Sequence, residues 1–348
     1  MKNTSKNFLT LIVTILILIS LDRLLLLYFG LPLWEWDEKL HYKHRPNITK
    51  YWSNNKNRPI KTNEYGHHDH SFPLKKKKNE LRVLNLGDSI TMGHGVSRDE
   101  TYSQYMEEEL SALLKNYDKI EVINAGVQGY STFQELEVLK RSLIFEPDFV
   151  TVGFCLNDVT EPFVVNKNLG GVGLDYHKVT QAPNKYLSYI LNETGFGRLI
   201  QEIRIKTLDA NQEMLNELYD VKKMLQSQND STYQAQWQFT LNELEKIYSL
   251  CRGKNIKVLL LIFPYTFQFN NHDLKWAQTK LIEHADKNKV QYVNFLEIFE
   301  REINSQTNLV TQYFLDEDHL TPAGHKFAAH HIVNSITKSI ELNHPTKN

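Results

Sequence analysis

The chain has 348 residues, of which 41% are apolar, so it can bury a core large enough for one large domain with additions or for two domains of ordinary size. Its 40 lysines and arginines nearly balance its 41 aspartates and glutamates, and the formal net charge of -1 gives no global field that would favour a nucleic acid as partner. The two cysteines, Cys155 and Cys251, lack the spacing of a metal site and cannot form a disulfide framework.

The first distinctive element is an apolar stretch near the N-terminus. Residues 8–31 are interrupted only by Asp22 and Arg23, and a helix of about 20 apolar residues spans a bilayer. We therefore predict a transmembrane signal anchor at 8–31 after a short tail at 1–7, because neither a small-residue cleavage site nor a cysteine for a lipid anchor is present there. Since a charge near the centre of a span costs a few kcal/mol, the membrane helix is expected to end near Ser20.

Residues 32–79 are polar, rich in Asn and Lys and without a sustained period, which predicts an extended stalk. This segment contains His67, His68, Asp69 and His70 in a row. Such a cluster can hold a metal ion, but histidines in a polar loop are more often simply exposed, and the sequence leaves the role of this cluster open.

Beyond residue 79, short β-rich runs alternate with helical patterns. The runs are 81–86, 119–124, 148–154, 256–263 and 290–295. The alternation predicts a five-stranded parallel sheet with helices on both faces. Capping boxes at Ser97–Glu100 and Ser131–Gln134 predict the starts of two helices, the first with Leu113 on its apolar face.

About a hundred residues separate the third run from the fourth. A glycine-containing loop near 159–182 is followed by helical patterns at about 184–252. We therefore predict a helical insertion before the fourth strand, since connections of this length are often lids or binding elements.

Candidate functional residues follow the strands. The first strand runs into Gly87-Asp88-Ser89, the second is followed by Gly126, and the third by Asn157. In an open α/β sheet, ligands bind beyond the carboxyl ends of the strands. A serine at a strand-to-helix junction lies at a positive helix end, where a developing oxyanion would be stabilised, but serine is also a preferred N-cap residue.

A candidate base follows the last strand, in the segment Asp316-Glu317-Asp318-His319. A carboxylate three residues before an imidazole can reach the far ring nitrogen, fix its tautomer and stabilise the imidazolium. Two alternatives remain open at this point: a solvated acidic turn with a surface histidine, and a metal site formed by Asp316, Asp318, His319 and His325.

Taken in order, Gly87-Asp88-Ser89, Gly126, Asn157 and the pair Asp316 and His319 resemble the four sequence blocks of the SGNH (GDSL-type) serine hydrolases. The resemblance covers roughly residues 81–340. The resemblance implies a flavodoxin-like three-layer α/β/α fold for a hydrolase domain at 80–345, with no metal and no organic cofactor. It implies Ser89 as nucleophile, His319 as general base and Asp316 as its orienting carboxylate. It also implies an oxyanion hole made by the backbone N–H groups of Ser89 and Gly126 and the side-chain amide of Asn157. The G-x-S-x-G elbow of the larger α/β-hydrolase family is absent.

The stalk loosely resembles the lead-in of membrane-anchored bacterial members of this family, through HRPN at 44–47 and TNEYG at 62–66. This resemblance implies a single-pass membrane protein with an extracytoplasmic catalytic domain. The chain departs from those members at one place, since they often have an arginine soon after the glycine, where this chain has the histidine cluster. The positive charges on the two sides of the span do not decide its orientation.

The function expected from the sequence is that of a membrane-anchored serine esterase. It would cleave carboxylic esters with short acyl groups such as acetyl, on cell-envelope or extracellular glycans, with the membrane as its other partner and no nucleic acid. A lysophospholipase or lipase, an O-acyltransferase, and an inactive glycan-binding or scaffold module are the alternatives.

Overall fold

The computed structural model describes residues 2–51, 57–160, 185–207, 220–305 and 310–341. The predicted glycine-containing loop at 159–182 lies almost wholly outside these ranges, as does part of the predicted insertion. The chain divides into two compact units, one formed by residues 1–45 and 167–216 and the other by residues 46–166 and 217–348.

The larger unit is built on a five-stranded parallel sheet. Its strands are β5 (Glu80–Gly87), β6 (Lys119–Asn124), β7 (Phe149–Phe154), β8 (Lys257–Ile262) and β9 (Gln291–Asn294). They are arranged in the order β6-β5-β7-β8-β9, with every neighbouring pair parallel. This is the flavodoxin-like order, in which the chain reverses direction across the sheet next to its first strand. The five predicted strands and the predicted fold class are confirmed.

Helices cover the sheet. They are α2 (Ser89–Met92), α3 (Tyr102–Leu113), α4 (Thr132–Ser142), α7 (Ser231–Gly253), α8 (Trp276–Asn288), α9 (Phe295–Ser305), α10 (Val310–Tyr313) and α11 (Pro322–Glu341). All eight residues of β5 and all six of β7 are buried, which explains why these strands are almost continuously apolar in sequence.

One predicted helix start needs correction. The Ser131–Gln134 capping box opens α4 as expected. The Ser97–Glu100 box, in contrast, opens only a 3-10 turn at Arg98–Glu100, and Thr101 caps α3 by accepting the Gln104 N–H. Leu113, predicted on the apolar face of α3, is exposed. The two possible caps lie four residues apart, and spacing alone does not rank them.

The end of the predicted stalk packs on the first strand of the sheet. The buried guanidinium of Arg82 pairs with Glu80 at 2.7 Å and donates to the carbonyl oxygens of Pro73, Leu74 and Phe145. A buried charge of this kind is stable only when it is fully hydrogen-bonded. Upstream, β3 (Thr49–Tyr51) and β4 (Pro59–Lys61) form an antiparallel pair, so part of the stalk is regular.

The smaller unit contains α1 (Lys2–Phe29), the antiparallel strands β1 (Trp34–Asp37) and β2 (His41–His44), and the helices α5 (Lys185–Glu193) and α6 (Gly195–Thr207). Residues Lys6–Phe29 of α1 are long and apolar enough to cross a membrane, with a mean hydropathy of 2.4. The expectation that the helix ends near Ser20 is wrong, since α1 continues through Asp22 and Arg23 without a break.

Candidate active site

Ser89 is the first residue of α2, directly beyond the carboxyl end of β5. The N-cap of this helix is Asp88, whose Oδ1 accepts the N–H of Ile90 at 2.9 Å. Capping is therefore performed by the aspartate, and the hydroxyl of Ser89 is left for another bond. As the first residue of a helix, Ser89 also has no acceptor for its own N–H within that helix.

The Ser89 hydroxyl contacts the imidazole of His319, which lies 230 positions later in the chain. Ser89 Oγ is 2.9 Å from His319 Nε2, and His319 Nδ1 is 2.8 Å from Asp316 Oδ2. Because a carboxylate only accepts, Nδ1 carries the proton and Nε2 is free to accept the serine proton. The structure thus brings together the three residues that the sequence placed in one catalytic group, in the geometry of a serine–base–carboxylate triad.

Asp316 is held in place by its own turn. Its Oδ1 accepts the backbone N–H groups of His319, at 2.9 Å, and of Asp318, at 3.1 Å. Burial alone would raise the pKa of Asp316, but the bonds from the His319 ring and from these two N–H groups hold it well below the usual range. The carboxylate therefore stays ionised while it orients the ring.

Three carboxylates surround His319. Burial acts to lower the pKa of His319, but the negative charges of Asp318, Asp316 and Asp88 outweigh it and raise the pKa above the ordinary value. Asp318 Oδ1 lies 3.4 Å from Nδ1, so it is a second anionic neighbour of the ring. This field stabilises the imidazolium that forms when the ring takes up a proton.

The alternative metal site does not suit this geometry. Ligand atoms of Asp316, Asp318 and His319 lie within 4.8 Å of one another. However, one ring nitrogen of His319 is bonded to Asp316 and the other to Ser89, so neither is available to a metal ion. The fourth candidate, His325, is fully buried, and its Nδ1 accepts the Tyr102 N–H at 3.2 Å.

The predicted oxyanion residues are arranged around α2. Asn157 donates through Nδ2 to Asp88 Oδ2 at 3.2 Å, which fixes the amide and leaves the second N–H of Nδ2 for another acceptor. Gly126 packs so closely on α2 that an added Cβ would lie 2.7 Å from the carbonyl carbon of Thr91. Its N–H, however, donates to Asn124 Oδ1 at 3.1 Å, so a substrate oxygen would have to share or replace that bond.

The model of the GDSL-like lipase/acylhydrolase family matches residues 86–327, more than half of the chain. This chain belongs to the GDSL-like lipase/acylhydrolase family. It is accordingly a serine hydrolase that acts on ester bonds. A search of the curated proteins found no match.

The solved structures to which this chain is similar include GDSL-family and esterase proteins. The acetyl xylan esterase AlAXEase is 18% identical, with a TM-score of 0.41, and the match covers 74% of this chain and 100% of that chain. The psychrotrophic esterase EstA from Pseudoalteromonas sp. is 14% identical, with a TM-score of 0.42 and coverages of 76% and 100%. A catalytic mutant of an acetylxylan esterase from Geobacillus stearothermophilus is 14% identical, with a TM-score of 0.43 and coverages of 74% and 94%.

Sequence reasoning missed one residue of the candidate site, His94. Its ring stacks on that of His319, with the ring centroids 4.2 Å apart and the planes inclined by 28°. The turn after α2 makes this possible, because Gly93 has a φ of 90° and the N–H groups of Gly93 and His94 both bond to the Ser89 carbonyl oxygen. No period or motif marks His94 in the sequence.

Two residues of the histidine cluster in the predicted stalk bond to the ends of α2 and β6. His68 Nδ1 lies 3.0 Å from the Met92 carbonyl oxygen at the end of α2, and Asp69 Oδ2 accepts the Asn124 N–H at 2.8 Å. Burial lowers the pKa of His68 to about 4, so this ring is neutral at pH 7.

The two outer histidines of the cluster have partners of their own. His67 stacks on Phe72, and His70 Nε2 bonds to Asp99. The cluster thus divides among separate partners and does not converge on one ligand position.

Proposed function

We propose that this protein is a membrane-anchored serine esterase that hydrolyses carboxylic esters through an acyl-enzyme intermediate. The observation that carries the proposal is the continuous hydrogen-bonded chain from Ser89 Oγ through His319 to Asp316. A serine hydroxyl becomes a nucleophile when an adjacent base removes its proton, and an oriented imidazole is the base best suited to that task.

In the acylation step, His319 Nε2 takes the proton of Ser89 as Oγ attacks the ester carbonyl carbon. The tetrahedral oxyanion is stabilised by the Ser89 N–H at the start of α2, by the free N–H of the Asn157 amide and by the Gly126 N–H once it leaves Asn124. The imidazolium then protonates the leaving alcohol. In the second step His319 activates a water molecule, which attacks the acyl-enzyme and releases the acid and Ser89.

The substrate that we propose is a short acyl ester, such as acetyl, carried by a large polar molecule such as a cell-envelope or extracellular glycan. The triad lies near the surface, since the side chains of His319 and Asp316 are 16% and 25% exposed. A triad so close to the surface can reach an ester group that is attached to a bulky molecule. We further propose that α1 is a single-pass anchor and that the catalytic unit is extracytoplasmic, which would place the site beside such glycans.

A panel of p-nitrophenyl esters with increasing acyl length tests this proposal on wild-type protein and on Ser89→Ala. We expect hydrolysis of the short esters and a loss of about 10³–10⁶-fold in kcat for the variant, by analogy with the deletion of other triad members. An acceptor sugar in the reaction distinguishes hydrolysis from acyl transfer, since only a transferase would yield an acylated sugar. Preference for long acyl chains would instead favour a lysophospholipase, and full activity of Ser89→Ala would refute the assigned nucleophile.

A further inference from the structure

Helices α5 and α6 of the smaller unit have an inverted polarity. The side chains that they bury are polar, namely Ser188, Asn192, Arg198 and Gln201. The large side chains that they expose are apolar or aromatic, namely Tyr186, Leu187, Tyr189, Ile190, Phe196, Ile200 and Ile203. A helix pair that packs in water shows the opposite arrangement, with an apolar stripe inside and polar residues outside.

The buried polar groups bond to one another. Asn192 donates to Ser188 Oγ and accepts from Gln201 Nε2, both at 2.9 Å. Arg198 bonds to Gln201, to Glu202 at 3.0 Å and to the Gly30 carbonyl oxygen at 3.1 Å, just beyond the end of α1. Internal satisfaction of polar groups is what a low-dielectric surrounding requires, because water is not there to replace a missing partner.

The tip of this helix pair docks on α1 at Asp22, one of the two charged residues inside the apolar stretch. Asp22 Oδ1 accepts the N–H of Phe196 at 2.9 Å, at the positively polarised start of α6. The approach is close, since a Cβ on Gly195 would lie 2.7 Å from the Leu26 backbone nitrogen. The carboxylate that a bilayer would otherwise disfavour therefore has a partner from α6.

The depth of this contact follows from the geometry of α1. Asp22 lies 16 residues after Lys6, the first residue of the membrane-spanning stretch, and therefore about 24 Å along the helix axis. The hydrocarbon core of a bilayer is about 30 Å thick. Asp22 and the start of α6 thus fall roughly one helical turn inside the apolar layer, where Leu24 of α1 is also exposed, while the exposed Leu27 lies at the edge of that layer.

We propose that the α5–α6 hairpin is a membrane-embedded element that lies in the interfacial layer around the end of α1, with its apolar face covered by lipid acyl chains. The exposed face of the hairpin continues the exposed apolar surface of α1, against which α6 packs. Tyr186 and Tyr189, which are 82% and 64% exposed, are of the residue type that occupies the headgroup level. This inference rests on the proposed membrane anchor and adds a second contact with lipid.

Depth-dependent quenching tests the inference on the full chain reconstituted in vesicles of phosphatidylcholine and phosphatidylglycerol. Single cysteines replace Ile200 or Ile203, which are 55% and 56% exposed, and carry an environment-sensitive fluorophore. The native Cys155 and Cys251 are fully buried, and the wild type gives the labelling background. A nitroxide lipid with its spin label just below the headgroup is the quencher for positions 200, 203 and 113, and a lipid with its spin label near the end of the acyl chain is the quencher for position 16, because Leu16 lies near the centre of the span. Leu16→Cys on α1 reports on the anchor, and Leu113→Cys in the larger unit, 55% exposed, is the control position.

We expect fluorescence at 200 and 203 to fall by about twofold or more with the nitroxide lipid, as for an element buried ~5–10 Å into the interface, while the label at 113 is unaffected. Quenching at 16 but not at 200 and 203 would overturn the hairpin assignment and leave the anchor intact. Loss of quenching at 16 as well would overturn both. Cross-linking of Ile200→Cys between copies, together with protection from lipid, would show that a second copy covers this face and would refute the inference.

Discussion

The ring of His94 lies on the ring of His319, with the centroids 4.2 Å apart, while the His94 N–H bonds to the carbonyl oxygen of Ser89. His94, the second residue after α2, is thus attached to Ser89 through its backbone and to His319 through its side chain. Asp316 fixes the His319 ring from one edge and His94 restricts its face, so the imidazole has little freedom to rotate away from Ser89.

The first prediction concerns this stacking. His94→Ala removes the ring that restrains His319, and we expect kcat for p-nitrophenyl acetate to fall by roughly tenfold, because small displacements of a catalytic group are costly. His94→Phe keeps a flat ring at the same place and is expected to retain most of the activity. Equal losses in the two variants would show that a polar bond of His94, and not the stacking, is what matters.

The second prediction concerns pH. His319 acts as a base only when it is neutral, so the rate should fall as the pH drops through its raised pKa, above the ordinary value near 6.5. Asp318→Asn removes the largest of the pKa-raising charges. We expect the acidic limb of the kcat/KM profile to move to lower pH by about 1 unit or more. Asp286→Asn, at an exposed position of α8, is the control and should leave the profile in place. A shift to higher pH in Asp318→Asn would contradict the electrostatic account of His319.

The third prediction concerns the amide of Asn157. Asn157→Ala removes one donor to the oxyanion, and loss of such a donor typically lowers kcat by about 10²–10³-fold. KM should change little, because the negative charge exists only in the transition state. Asn242→Ala, on the exposed face of α7, is the matched control. If KM rose while kcat stayed constant, Asn157 would be a ground-state binding residue instead.

The fourth prediction uses a pair of glycines. An alanine at Gly126 would place its Cβ 2.7 Å from the carbonyl carbon of Thr91, so we expect a loss of about 1–3 kcal/mol in the free energy of unfolding together with a loss of activity. Gly253, at the end of α7, has no atom within 4 Å of such a Cβ. Gly253→Ala should be neutral or stabilising by up to ~1 kcal/mol, because alanine favours a helix. Thermal melts of both variants make the comparison, and a Gly126→Ala protein as stable and active as wild type would contradict the close packing on α2.

The sheet and the residues at its strand ends could be predicted because strands that are buried on both faces are almost continuously apolar in sequence. Strand β5 is fully buried, so its apolar run predicted residues 81–86 against an observed Glu80–Gly87. Once the strands are parallel, residues after their carboxyl ends must share one edge, and Ser89 and His319 meet there across 230 positions of the chain.

Other features depend on contacts that no local pattern encodes. The sequence predicted that the membrane helix ends near Ser20, before the charge of Asp22. It gives no sign that this carboxylate has a partner, because that partner, the Phe196 N–H, is 174 positions away. His94 is placed by the left-handed turn at Gly93 and has no period to mark it. The bond from the Gly126 N–H to Asn124 Oδ1 was also not predicted. It is an Asx contact to a residue two positions back, and it competes with the predicted role of that N–H as a donor in the oxyanion hole.

The proposed mechanism requires that Ser89 is the nucleophile and that His319 activates it. Mass mapping of the adduct formed with a fluorophosphonate probe, on the wild type, Ser89→Ala and His319→Ala, tests both roles. We expect a single phosphonylated peptide containing Ser89, no adduct in Ser89→Ala, and strongly slowed labelling in His319→Ala. An adduct on a different residue, or undiminished labelling without the imidazole, would contradict this mechanism.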